Sequence, residues 1–276
     1  MSRDPRQVLR QLGQKPKQSL GQNFCIDRSV LRRIAEAAKI GEGDTVIEIG
    51  PGTGALTEFL IETGASVTSV EIDQRFYEEL EQRFSGASNF RLVRADALKQ
   101  LDAVLDDVGV AVVVGNLPYH ISSRLLMAMV ANRKRVKRAL VTLQLEVAQR
   151  MIAPPGNKQY GRLSARMQSV AEMDILFKIP PRAFFPAPKV DSALALVDFF
   201  GGPQTEFADE TLFEAVIKAA FAQRRKQLRN SLRTLASPEI LEQVFEQTGI
   251  SGQTRPERLL YTDFLKLTDA LLAQQQ

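Results

Sequence analysis

The chain has 276 residues, 44% hydrophobic and 25% charged, with a formal net charge of +4, an ordinary composition for a globular protein able to bury one large core or two. One cysteine, Cys25, excludes an intrachain disulfide, and one histidine, His120, leaves a Ser-His-Asp triad a single candidate base with no acid–serine pattern around it. No apolar run is long enough to cross a membrane, and Met1 to Lys17 is polar and lacks a signal-peptide core, so no membrane partner and a cytoplasmic address are expected.

Residues 1–33 carry eight Lys or Arg against Asp4 and Asp27. The segment reads either as a frayed tail or as a basic arm that orders on an anionic partner. After Gln22-Asn23-Phe24-Cys25, Asp27 is placed to cap a helix from about Arg28 to Lys39, with Val30, Leu31, Ile34 and Ala38 on its apolar face. Strands are then expected at 45–49, 66–72, 90–95, 111–115 and 139–145, with helices at 55–63, 74–84 and 122–132. That alternation implies βαβ units and a parallel sheet covered on both faces. Residues 154–162 read as a loop and 163–170 as a helix. Strands at 175–179 and 193–199, joined by the proline-rich stretch Pro180–Lys189, form an antiparallel edge hairpin with a stiff loop. Gly201-Gly202-Pro203 is the linker. It divides the chain into an α/β domain, 1–202, and a small all-helical domain, 203–276, with helices at about 209–222, 223–234, 238–247 and 262–273.

Candidate site residues gather at the strand ends. Gly50-Pro51-Gly52-Thr53-Gly54 is a turn that lets backbone approach a ligand closely. Glu71 ends the next strand, 21 residues beyond Gly50, where a carboxylate can accept both hydroxyls of an adenosine ribose; the alternative is a solvated strand-end charge. Asp96 ends the third strand, placed either to reach an adenine amine or to cap a helix from Ala97. No Lys or Ser follows the glycines as in a phosphate-cradling loop. NAD and S-adenosylmethionine both fit a strand, glycine turn, strand and acid. No hydride-transfer acid or base is evident, whereas Asn116-Leu117-Pro118-Tyr119 after the apolar run Ala111–Gly115 offers an amide and a flat ring to an amine-bearing base. That favours S-adenosylmethionine. No metal is expected.

Gln22-Asn23-Phe24, Glu48-Ile-Gly-Pro-Gly-Thr-Gly-Ala-Leu-Thr57, Val70-Glu-Ile-Asp73, Ala95-Asp-Ala-Leu98, Asn116-Leu-Pro-Tyr119 and Phe184-x-Pro-x-Pro-Lys-Val-Asp-Ser192 occur in that order. With Phe221–Leu232, they closely resemble the ribosomal RNA adenine dimethyltransferases, within them the bacterial small-subunit branch, from about residue 18 to the C-terminus. The resemblance implies a Rossmann-like class I S-adenosylmethionine-dependent methyltransferase. It implies cofactor contacts from Asn23, Cys25, Gly50, Glu71, Asp96 and Asn116. Its substrate would be small-subunit (16S) rRNA within a pre-ribosomal small subunit, dimethylated at the exocyclic amines of two adjacent adenosines in the 3′-terminal hairpin loop. The chain departs from the pattern at Cys25, where the family usually has Leu, and at Leu145, where it has Lys. A backbone contact at position 25 would survive the change and a packing contact would weaken.

An exocyclic amine is a poor nucleophile because its lone pair is delocalised into the ring. Asn116 would accept one amine proton and a backbone carbonyl near Leu117 or Pro118 the other, favouring a tetrahedral nitrogen. Tyr119 would stack on the extruded base, and Phe184, by resemblance and because prolines stiffen its loop, would supply the second face; the alternative for Phe184 and Phe185 is ordinary core. The segment 218–233 carries six Lys or Arg and no acid, read as one basic helix tracking phosphates, with Arg224, Arg225, Lys226 and Arg229 as its RNA contacts. A second cluster, Arg133 to Arg138, fits a solvated loop equally well. The protein is expected to act as a monomer. Two rival readings remain: a large-subunit rRNA adenine methylase of the resistance type, and a non-catalytic RNA-binding assembly or transcription factor on the same scaffold.

Overall fold

The computed structural model describes residues 4–17, 20–223 and 226–274. Its elements are α1 (Pro5–Gln11), β1 (Phe24–Cys25), α2 (Arg28–Ala37), β2 (Thr45–Ile49), α3 (Ala55–Glu62), β3 (Ser66–Glu71), α4 (Gln74–Arg83), β4 (Phe90–Arg94), α5 (Ala97–Val108), β5 (Ala111–Asn116), α6 (Ser122–Ala131) and β6 (Val136–Gln144). There follow α7 (Leu145–Ile152), α8 (Arg162–Gln168), β7 (Glu172–Ile179), β8 (Phe184–Phe185), β9 (Ser192–Asp198), α9 (Glu210–Ala220), α10 (Leu228–Ser231), α11 (Pro238–Thr248) and α12 (Tyr261–Ala273).

Seven strands form one sheet in the order β4-β3-β2-β5-β6-β9-β7. The pairs β2·β3, β2·β5, β3·β4 and β5·β6 are parallel, and β9 runs antiparallel to β6, Gln144 facing Ser192. β2 and β5 are buried along nearly their whole length, which is why their sequences run apolar rather than alternating. The chain leaves β2 toward β3 on one side and enters β5 on the other. Strand order therefore reverses at β2, and ligands of open α/β sheets bind beyond the carboxyl ends at such a point.

The contacts divide the chain into two units: Met1–Ala148 with Met173–Phe200, and Gln149–Glu172 with Gly201–Gln276. The division at Phe200–Gly201 lies beside the expected linker, but Gln149–Glu172, expected with the sheet, clusters with the C-terminal helices. The reason is packing. Tyr160 and Ala165 belong to the helical core with Phe213, Leu241 and Phe264, and the Tyr160 hydroxyl donates to the Leu259 carbonyl at 2.8 Å. Buried Arg166 pairs with Glu210 and Glu214 and lies over Phe207.

Besides α7, a helix where none was expected, three regions differ from the sequence reading. The N-terminal segment contains α1, capped by Asp4 with Pro5 in its first turn and burying Val8 and Leu9. Segment 218–233 is not one helix: α9 ends at Ala220 and only α10, four residues long, precedes a 3-10 turn over Leu232–Thr234. β1 and β8 make a separate two-residue antiparallel ladder, Phe24 facing Phe185 and Cys25 facing Phe184.

Candidate active site

The glycine turn after β2 forms a floor. The Gly52 N–H donates to Glu71 Oε2 at 2.9 Å and the Asp73 N–H to Oε1 at 2.7 Å. Gly52 has φ +55°, and a Cβ there would lie 2.8 Å from the Phe24 ring, so only glycine fits. Glu71 is buried, and burial pushes its carboxyl up while the backbone N–H groups of Asp73 and Gly52, with a lesser effect from Ile72, pull it down. Each oxygen keeps a second lone pair for a ligand. Asp96 caps α5 through the Leu98 N–H at 3.0 Å. The cap and the site are compatible, because one oxygen serves each.

Above this floor lies a cavity of about 290 Å³ whose walls include Asn23, Gly50, Glu71, Ile72, Asp96 and Asn116. It brings together five of the six residues expected to hold the cofactor. The sixth, Cys25, lines a smaller neighbouring cavity of about 40 Å³ with Glu48, Asn116 and Thr142. Burial pushes the Cys25 thiol up to about 12, which leaves it inert as a nucleophile. Burial also pushes Glu48 up to about 7, although it accepts hydrogen bonds from Ser69 at 2.6 Å and Thr57 at 2.7 Å.

Asn116 is held by a bond from its Nδ2 to the Asn23 carbonyl at 2.6 Å. The amide plane is thereby fixed, and the side-chain carbonyl is the group left to accept. Tyr119 and Phe184 are not part of the cavity wall. Tyr119 is half-buried, and its hydroxyl shares a 2.7 Å hydrogen bond with Ser192. Phe184 sits 3% exposed in the main core with Cys25 and Ala183, whereas Phe185 is 38% exposed.

The sequence reading missed the roof. Leu20 to Phe24 close over the cavity, and the segment is tied to Asp73. Gln22 Nε2 donates to Asp73 Oδ2 at 3.1 Å, and Lys17 Nζ lies 3.6 Å from it. Arg75 binds the same carboxylate and reaches Gln14. The Arg75 guanidinium beside Asp73 holds its carboxyl well below the usual range. The available signal was Asp73 itself, an acid two residues past Glu71 followed by Arg75. Gly21 has φ +63° and packs so closely that a Cβ would lie 2.8 Å from His120 Nδ1.

The basic residues fare differently. Arg224 and Arg225 lie outside the described residues. Lys226 is exposed, and Arg229 pairs with Glu242 at 3.2 Å. In the second cluster Arg135 pairs with Asp102 and Asp106, and Arg138 donates to the Ala38 and Lys39 carbonyls at 2.7 and 2.9 Å. Those two arginines are occupied by the fold.

Comparison with known proteins follows the same lines. The chain is 38% identical over 275 residues to Ribosomal RNA small subunit methyltransferase A of Moorella thermoacetica, covering 96% of this chain and 95% of that one. It is 41% identical to the protein of that name from Levilactobacillus brevis, covering 92% and 89%. Among solved structures it resembles a dimethyladenosine transferase from Plasmodium falciparum (TM-score 0.73, 27% identity, 87% of this chain and 94% of that). It also resembles the 23S rRNA methyltransferase ErmE (TM-score 0.66, 27% identity, 90% and 99%). The sheet is that of the class I S-adenosylmethionine-dependent methyltransferases. The profile of Ribosomal RNA adenine dimethylase matches residues 13–272; the glycine turn, the two strand-end acids, the Asn-Leu-Pro-Tyr turn and nearly all of the helical unit fall inside it, and the chain belongs to that family.

Proposed function

We propose that this protein uses S-adenosylmethionine to dimethylate the exocyclic amines of two adjacent adenosines in the 3′-terminal hairpin loop of small-subunit rRNA, within a pre-ribosomal small subunit. One observation carries the reading. Asn116, the amide that would grip the target amine, opens into the same cavity as Glu71 and Asp96, the acids suited to an adenosine. The small-subunit target is supported by relatives of that name at 38–41% identity over nearly the whole chain, against 27% for the 23S enzyme.

The cavity fits the cofactor. Glu71 offers free lone pairs for ribose hydroxyls, Asp96 has an oxygen for an adenine amine, and Gly50 and Gly52 admit close approach. When bound, S-adenosylmethionine supplies an electrophilic methyl group on a sulfonium. The chain's own residues then position the other partner. The Asn116 carbonyl accepts an N6 proton and draws the nitrogen from planar toward tetrahedral, a contact that strengthens along the reaction. Tyr119 is placed to face the base, whereas Phe184, 3% exposed in the core, does not offer the second face expected of it. No general base is required before transfer, because the cationic product amine loses its proton to water readily.

Methylation of purified small subunits and of large-subunit RNA with labelled cofactor, followed by mapping of the modified base, tests the proposal. Label on adjacent adenosines near the 3′ end of small-subunit rRNA is the expected result; label confined to large-subunit RNA, or none, overturns it. Arg224, Arg225, Lys226 and Arg229 are the proposed phosphate contacts. Replacing Arg224, Arg225 and Arg229 together should flatten the salt dependence of RNA binding while cofactor affinity stays unchanged.

A further inference from the structure

Tyr119 is fixed at both ends by buried serines. The Ser122 hydroxyl donates to the Tyr119 carbonyl at 3.1 Å, and the ring hydroxyl shares its 2.7 Å bond with Ser192. Ser122 is 1% exposed and Ser192 0%. Ser192 opens β9 and is held in register against Gln144 of β6, and the Leu145 N–H donates to the Asp191 carbonyl at 2.9 Å. The turn carrying Tyr119 is pinned to the same strand, because the Leu117 N–H donates to the Thr142 carbonyl at 3.2 Å. The ring therefore spans two fixed points of one rigid sheet edge.

Stacking needs only a ring face, so a hydroxyl held by a fully buried partner is more than stacking requires. A ring free at its tip swings about its side-chain torsions. A ring tied at its tip keeps one plane. We propose that Ser192 is a positioning residue for methyl transfer: its hydroxyl holds the Tyr119 ring in the plane that sets the height and tilt of the extruded adenine, so that its amine meets Asn116. The proposal rests on the methyl-transfer reading above.

The test is a double-mutant cycle on Tyr119→Phe and Ser192→Ala, read by single-turnover methyl transfer. Each substitution should slow transfer by about ten- to a hundredfold, the scale of a misplaced reactant. The double variant should be no slower than either single one, because the two hydroxyls act as one unit. Equilibrium binding of RNA carrying 2-aminopurine at the methylated position, without methyl donor, gives a second readout. The fluorescence of the bound base should shift alike in all three variants while RNA affinity changes less than threefold. Losses that multiply in the double variant, or an unchanged rate in Tyr119→Phe, overturn the proposal. Tyr119→Phe removes one atom from a half-exposed ring, so the test survives if Ser192→Ala does not fold. If the wild-type chain methylates no small-subunit RNA, the functional reading fails instead.

Discussion

Glu71 spends one lone pair of each oxygen on backbone donors and presents the others to the cavity. Glu71→Ala should therefore weaken S-adenosylmethionine binding by roughly 1.5–3 kcal/mol, the worth of hydrogen bonds to a charged group; calorimetry on the folded variant checks it. Asn116→Ala should lower single-turnover transfer by about 10²–10³ while RNA affinity, set by phosphates, holds. Glu48 yields a pH prediction. Its carboxyl titrates near 7 when folded against 4.5 ordinarily, so below the lower value both states hold the proton. Above it the unfolded chain releases the proton first. Stability is thus lost as pH rises from about 4.5 through 7, by at most ~3 kcal/mol, and Glu48→Gln should flatten the urea midpoint across that window. Glu71 and Asn116 were legible because a strand end and a spacing mark them. The depth of Glu48 was not, since its partners Thr57 and Ser69 come from a helix and a neighbouring strand.

At the scale of elements, the strap over the cavity depends on one glycine. Gly21→Ala would place a side chain in the left-handed region at a cost of roughly 1–2 kcal/mol, and its Cβ would collide with His120. Cofactor affinity should fall, and adding His120→Ala should restore only the steric share; calorimetry on both variants separates the two. The long buried strands β2 and β5 could be read from sequence because apolar runs bounded by turns have few other solutions. β1 and β8 could not. A two-residue strand carries no period, and only the partner across the ladder makes it one. The basic run 218–233 shows the opposite error: its charge pattern is real, but α9 ends at Ala220 and α10 begins only at Leu228, a change that composition does not mark.

The molecule as a whole is two units, one of them made of two separate stretches of chain. Gly201-Gly202-Pro203 advertised the boundary; nothing marked 149–172 as part of the helical core, because its key residue, Arg166, is a charge that only its partners make buriable. Arg166→Met should strip Glu210 and Glu214 of their common partner. Both carboxylates keep access to water, at 38% and 31% exposure, so the cost should be modest, ~2 kcal/mol, seen in denaturant unfolding of the full chain. A fragment of 203–276 alone should fail to fold, since it lacks Tyr160, Ala165 and Arg166.

The ladder between β1 and β8 also sets an order in time. Phe24 and Cys25 leave the ribosome early, yet Phe185 and Phe184, which pair with them, emerge about 160 residues later. At 5–20 residues per second that interval is on the order of ten seconds or more. Through it the nascent strap has no ladder to join, and the roof of the cavity waits for β8.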